Sequence, residues 1–187
     1  MGVSQRPFLF ILRQQNRYPM NMQMAFPIKR YLKKYFYWRE NIPYNSIIDF
    51  SKYENREVCM VMSKLMEGKM TFSGSGSTNS DSNEQYNDHI PIAFTITQFK
   101  HNKIFVSTQA IRFFNTYLQR NLHEMLVQRI LAVRNYGVSE SDVINQFMAD
   151  VDLLDDITFD ALKKGSYRLR SEKNLPIFRL ASGPAVK

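Results

Sequence analysis

The chain has 187 residues, 44% of them hydrophobic, with 14 Phe, 10 Tyr and one Trp, and a formal net charge of +8. This composition excludes wholesale disorder and supplies the large apolar side chains of a packed core, each contributing about 1.5–3 kcal/mol when fully buried. A lone cysteine, Cys59, excludes an intramolecular disulfide framework and fits a reducing compartment, so the cytoplasm is the expected location.

The first 39 residues carry Arg6, Arg13, Arg17, Lys29, Arg30, Lys33, Lys34 and Arg39 with no acidic residue, which equals the whole net charge of +8. Beyond them the charges are sorted into blocks: −4 over 40–99, +5 over 100–136, −7 over 137–161 and +6 over 162–187. Sorting of this kind points to a surface that faces a polyanion, or to complementary patches on two copies of the chain. The apolar run Phe8-Leu9-Phe10-Ile11-Leu12 is too short for a signal-peptide core or a membrane span, and no membrane partner is expected. Residues 1–26 read as a basic, loosely attached extension, 27–173 as a single domain, and 174–187 as a tail.

The first patterned element is a helix over 27–39. Pro27 suits a first helical position, and Ile28, Tyr31, Leu32, Tyr35 and Phe36 form an apolar stripe, with Lys29, Arg30, Lys33 and Lys34 opposite. Those cations read either as a solvated face or as a contact for a polyanion. Ser51 and Glu54 form a capping box for a second helix with the stripe Val58, Val61, Met62 and Leu65, ended by Gly68. Cys59 stands beside that stripe with no histidine or second thiol near it in sequence, the setting of a small buried hydrophobe.

Residues 69–89, which include the Ser-, Gly- and Asn-rich run 73–83, have little to bury and are expected to be a flexible loop. Ile90, Ile92, Phe94 and Ile96 then alternate with Pro91, Ala93, Thr95 and Thr97, the period of a half-buried strand. Lys100-His101-Asn102-Lys103 offers a turn into a partner strand, Ile104-Phe105-Val106. Such a hairpin needs further cover, from helices or from a third strand such as Phe8–Leu12 or Pro176–Leu180.

Ser107 or Thr108 is expected to cap the longest helix, over 108–135. Its stripe is Ile111, Phe114, Leu118, Leu122, Met125, Leu126, Ile130 and Val133, on the order of 40 Å of helix, closed by Asn135-Tyr136-Gly137. A helix of that length either spans its own domain or reaches a second copy, which makes a homo-oligomer through 108–135 one expected partnership.

Ser139 with Asp142 opens a further helix whose stripe is Val143, Ile144, Phe147, Met148 and Val151. After a turn, Thr158 caps a last helix on which Phe159, Leu162, Ser166 and Leu169 share one side. Lys163, Lys164, Tyr167, Arg168 and Arg170 cover much of the rest. An apolar-backed, basic-faced second helix after a turn has the outline of a helix-turn-helix, which suits a DNA groove. Asp150, Asp152, Asp155, Asp156 and Asp160 crowd the turn and the helix start. They read as complements of the helix dipole, or as a patch for a basic neighbour.

No Walker loop, nucleophile elbow, zinc-binding helix or cysteine pair is present in the sequence. His89, His101 and His123 lack ligand spacing, and Asp155-Asp156 reads as cap and solvated charge rather than a Mg²⁺ site. Neither cofactor nor metal nor catalytic residue is expected. The fold class that results is α+β and mainly helical: four to five helices around a β-hairpin or small antiparallel sheet, with a C-terminal helix-turn-helix-like pair. The expected function is non-enzymatic DNA binding, as a small regulator or replication accessory. Lys163, Lys164, Tyr167, Arg168 and Arg170 are the expected contacts, joined by Lys29, Arg30, Lys33 and Lys34. The alternative is a homo-oligomeric structural or adaptor protein that engages no nucleic acid.

Overall fold

A computed structural model describes residues 21–50, 52–53, 55–66, 86–95 and 106–173. The fold is α+β and mainly helical, as the sequence indicates: strands β1 (Asn21–Ile28), β2 (Ile48–Asp49) and β3 (Asp88–Thr95) with helices α1 (Arg30–Arg39), α2 (Glu57–Met66), α3 (Thr108–Ala132), α4 (Glu140–Asp150) and α5 (Phe159–Glu172). The chain divides into two compact units, Met1–Thr116 and Tyr117–Lys187, with α3 running through the division. Val106 is not in a strand, and the expected capping box Ser51/Glu54, the stop at Gly68, residues 104 and 105 of the expected strand 104–106 and the tail 174–187 lie outside the described residues. So does the expected loop 69–89 up to residue 85, and of its remainder Asp88 and His89 open β3.

In the first unit the sheet order is β1-β3-β2. β1 pairs antiparallel with β3, with Met22 opposite Phe94, Met24 opposite Ile92 and Phe26 opposite Ile90, so the apolar alternation of both strands falls on one face. The two residues of β2 add a parallel pair, Ile48 opposite Ile92. Two expectations need correction here. Residues 21–26, expected in a loose extension, belong to β1, and Pro27 and Ile28 are the last two residues of that strand instead of the start of a helix. An edge strand tolerates proline, and β1 is an edge among the described strands.

α1 therefore starts at Arg30, and Asn115 of α3 holds that start in place. Its Oδ1 accepts from the Lys29 backbone N–H at 3.0 Å, while its Nδ2 donates to the carbonyls of Ile111 at 2.9 Å and Pro27 at 3.3 Å. Asn115 is buried, so these bonds satisfy an amide that would otherwise be costly inside. Above it Phe114 meets Phe26 edge-on at 5.1 Å between ring centroids and Phe36 at 6.4 Å.

The far end of α1 is tied to α2. Glu40 is buried and its carboxylate accepts from the Val58 backbone N–H, at the positive end of the α2 dipole. Arg39 bonds Glu57 at 2.9 Å, and Arg56 donates to the Glu40 carbonyl. Cys59 is buried next to this cluster, and burial pushes its thiol up to about 12, so it packs as a hydrophobe.

In the second unit the start signals read from the sequence are in place. Ser139 Oγ accepts from the Asp142 N–H at 3.1 Å and Thr158 Oγ1 from the Ala161 N–H at 3.2 Å. A single 3₁₀ turn, Arg134–Tyr136, follows α3, and Gly137 closes it at φ 72°, where a Cβ would be strained. α5 lies tight against α3: a Cβ at Gly165 would come within 2.1 Å of His123 Cε1, so only glycine admits the imidazole there.

Burial lowers the His123 pKa below its ordinary 6.5. The folded unit thus takes up this proton less readily than the unfolded chain. Its contribution is fully present above the unfolded value and is lost as the pH falls below it. Urea titration at about pH 7.5 and about pH 5.5 should show lower stability at the acid end, and His123→Phe should flatten the difference. Equal pH dependence in the two proteins would contradict this reading.

Candidate nucleic-acid interface

α5 is fixed from behind. Leu162, Ser166, Leu169 and Arg170 are its buried residues, and they recur at i, i+4, i+7 and i+8, the spacing of one helical stripe. Arg170, expected on the basic face, is 0% exposed. Both its terminal nitrogens donate to Glu140, at 2.5 and 3.3 Å, and its guanidinium covers the Tyr167 ring at 4.5 Å. The pair sets the end of α5 against the start of α4, and it withdraws Arg170 from any external anion. Tyr167 is half-buried beneath that guanidinium.

The other expected contacts on α5 divide by depth. Lys163 is half-buried with its Nζ 5.6 Å above the Phe159 ring. Lys164 and Arg168 are exposed and stand four residues apart, one turn of the outer face. Neither is paired with a carboxylate among the described residues, whereas Arg120 and Lys173 both reach Glu124, Arg129 reaches Asp150 and Arg170 reaches Glu140. Arg129 also lies over the Phe147 ring at 5.1 Å.

Carboxylates flank this strip. Asp160 occupies the first turn of α5, where the helix dipole favours it, and Glu172 the last. Lys173 lowers the Glu124 pKa, and Arg129 that of Asp150. The positive strip on α5 is therefore about one turn long, roughly 5–6 Å, and its cations are Lys164 and Arg168.

The α1 cations belong to the first unit. Lys33 is 5% exposed, bonded to Asp88 at 2.8 Å and 5.4 Å from the Tyr44 ring centre, so it too is spent internally. Lys33 lowers the Asp88 pKa in return. Arg30 is exposed, and Lys29 and Lys34 are half-buried. α1 has no acidic residue in its first turn and no side-chain cap from Lys29, whereas α4 and α5 each open with a hydroxyl cap and a carboxylate. Neutral amides stand in their place: Asn115 on the Lys29 N–H and Asn87 on the Arg30 N–H, at 3.0 and 3.1 Å. The positive end of α1 thus carries cations where its dipole favours anions.

Most of the stripe of α3 is covered within the chain: Phe114, Leu118, Leu122, Leu126 and Ile130 are all 1% exposed or less, while Ile111, Met125 and Val133 are half-buried. The reason given for an oligomer through 108–135, an apolar stripe too long for one chain to cover, therefore has no support along this line of residues. No group of His, Cys, Asp and Glu among the described residues is placed to hold a metal ion, and no described helix is long and apolar enough to cross a membrane. No protein-family model, curated protein or solved structure matches the chain.

Breaking the buried pair should be costly, because it strands a charge. Glu140→Gln is expected to destabilise the second unit by about 3 kcal/mol in urea titration, whereas Glu140→Leu combined with Arg170→Met should cost much less. Equal losses in the two variants would contradict this account of the pair.

Proposed function

We propose that the protein is a non-enzymatic, cytoplasmic DNA-binding protein, a small regulator or replication accessory, that meets the phosphate backbone with the outer face of α5. The observation that carries this reading is the contrast on that helix. Arg170 is locked inside against Glu140, while Lys164 and Arg168 stand exposed one turn apart with no carboxylate partner among the described residues.

A helix reads or grips a duplex well when its back is immobile, because a fixed back spares the entropy of ordering on binding. Leu162, Ser166, Leu169 and Arg170 supply that back, and Lys163 adds its charge beside the front. The start of α1, with Lys29, Arg30 and Lys34 and no acidic residue in its first turn, adds attraction for the same polyanion, and the net charge of +8 favours encounter. Lys33 and Arg170 take no direct part in this proposal. Asp160 and Glu172 limit the α5 contact to few phosphates, so affinity is expected to be modest and strongly dependent on salt.

Fluorescence anisotropy with labelled duplex, single-stranded DNA and RNA over a range of salt concentrations tests this. Replacing Lys164 and Arg168 together by Gln should reduce the slope of log K against log salt by about 2, since each neutralised phosphate contributes about 0.9. Glu140→Leu combined with Arg170→Met, which removes both buried charges together, should leave the slope unchanged. Binding that ignores the Lys164/Arg168 change would remove α5 from the interface.

A further inference from the structure

The corner between α3 and α4 carries a mostly apolar groove of about 420 Å³, lined by Ala132, Val133, Val138 and Val143 together with Arg129, Asp142 and Gln146. Tyr136, on the 3₁₀ turn that bounds the groove, is 80% exposed and does not line it, and Val138 beside it is 42% exposed. An aromatic ring held in water next to an unfilled apolar groove is a costly arrangement for an isolated surface.

The charges of the corner say what covers it. The sign of the sequence changes at Gly137, from the +5 of residues 100–136 to the −7 of residues 137–161. Arg134 stands on one side of that glycine and Asp142 on the other, both exposed. One small patch therefore holds a ring and a groove, a cation and a carboxylate. A two-fold interface requires this of a surface, because each feature must find its complement on an identical copy. A foreign peptide would require the groove alone.

We propose that this corner is the contact between two copies of the chain, with Tyr136 of each copy seated in the groove of the other and Arg134 facing Asp142 across the two-fold axis. The surface is separate from α5 and takes in only Val133, the last member of the α3 stripe, and the proposal stands or falls independently of DNA binding. Exposed tyrosine and arginine are the residue types that dominate such contacts when they become buried.

Sedimentation equilibrium of the full chain, without nucleic acid, is the test. The expected result is a dimer whose dissociation constant rises at least about tenfold in Tyr136→Ser, a change too exposed to disturb the fold. Arg134→Asp and Asp142→Arg should each weaken the dimer, and the two together should restore it, with circular dichroism confirming that every variant stays folded. A monomer at all concentrations, a dimer indifferent to Tyr136→Ser, or a double variant no tighter than the singles would overturn the proposal.

Discussion

The ion pair between Arg170 and Glu140 governs the second unit. A guanidinium at 0% exposure is tolerable only with its charge matched, and Glu140 meets both terminal nitrogens. Since Glu140 opens α4 and Arg170 lies near the end of α5, the match fixes one helix against the other. It also sorts the cations of α5. The one drawn into the stripe serves the fold, and Lys164 and Arg168 on the opposite side stay exposed. Arg129 with Asp150 and Lys173 with Glu124 repeat the principle closer to the surface, where such pairs contribute less.

The first unit solves a different problem, which is how to hold a helix start that has no acidic or hydroxyl cap of its own. Asn115 reaches it from α3 and Asn87 from just before β3, so segments distant in sequence meet at the beginning of α1. Lys33 is neutralised by Asp88, the first residue of β3. The first turn of α1 itself holds no acidic residue.

Much of this was legible in the sequence, and the exceptions have identifiable causes. Ser139, Thr158 and Gly137 act by local hydrogen bonds and local backbone geometry, so their signals carried through to the structure. β1 escapes the sequence reading although Met22, Met24, Phe26 and Ile28 alternate correctly, because the helical stripe takes Pro27 and Ile28 and leaves 21–26 as part of a basic extension. β2, two residues long, has no period to read. Arg170 sits at i+8 from Leu162, within the stripe, and its charge masked that position. Its partner lies 30 residues away, beyond the reach of any helical pattern. Lys33 misled for the same reason, with Asp88 supplied by a strand 55 residues on.

The face of α5 left outside by the Arg170–Glu140 pair is the proposed DNA contact. Lysine footprinting tests it: acetylation of the full chain with and without duplex DNA, read by mass spectrometry. Lys164 should lose reactivity on adding duplex, with Lys163 following to a smaller degree, while Lys52 and Lys64, exposed but outside the proposed contacts, should react as before. A Lys164 that stays as reactive in the complex as in the free protein would contradict the account.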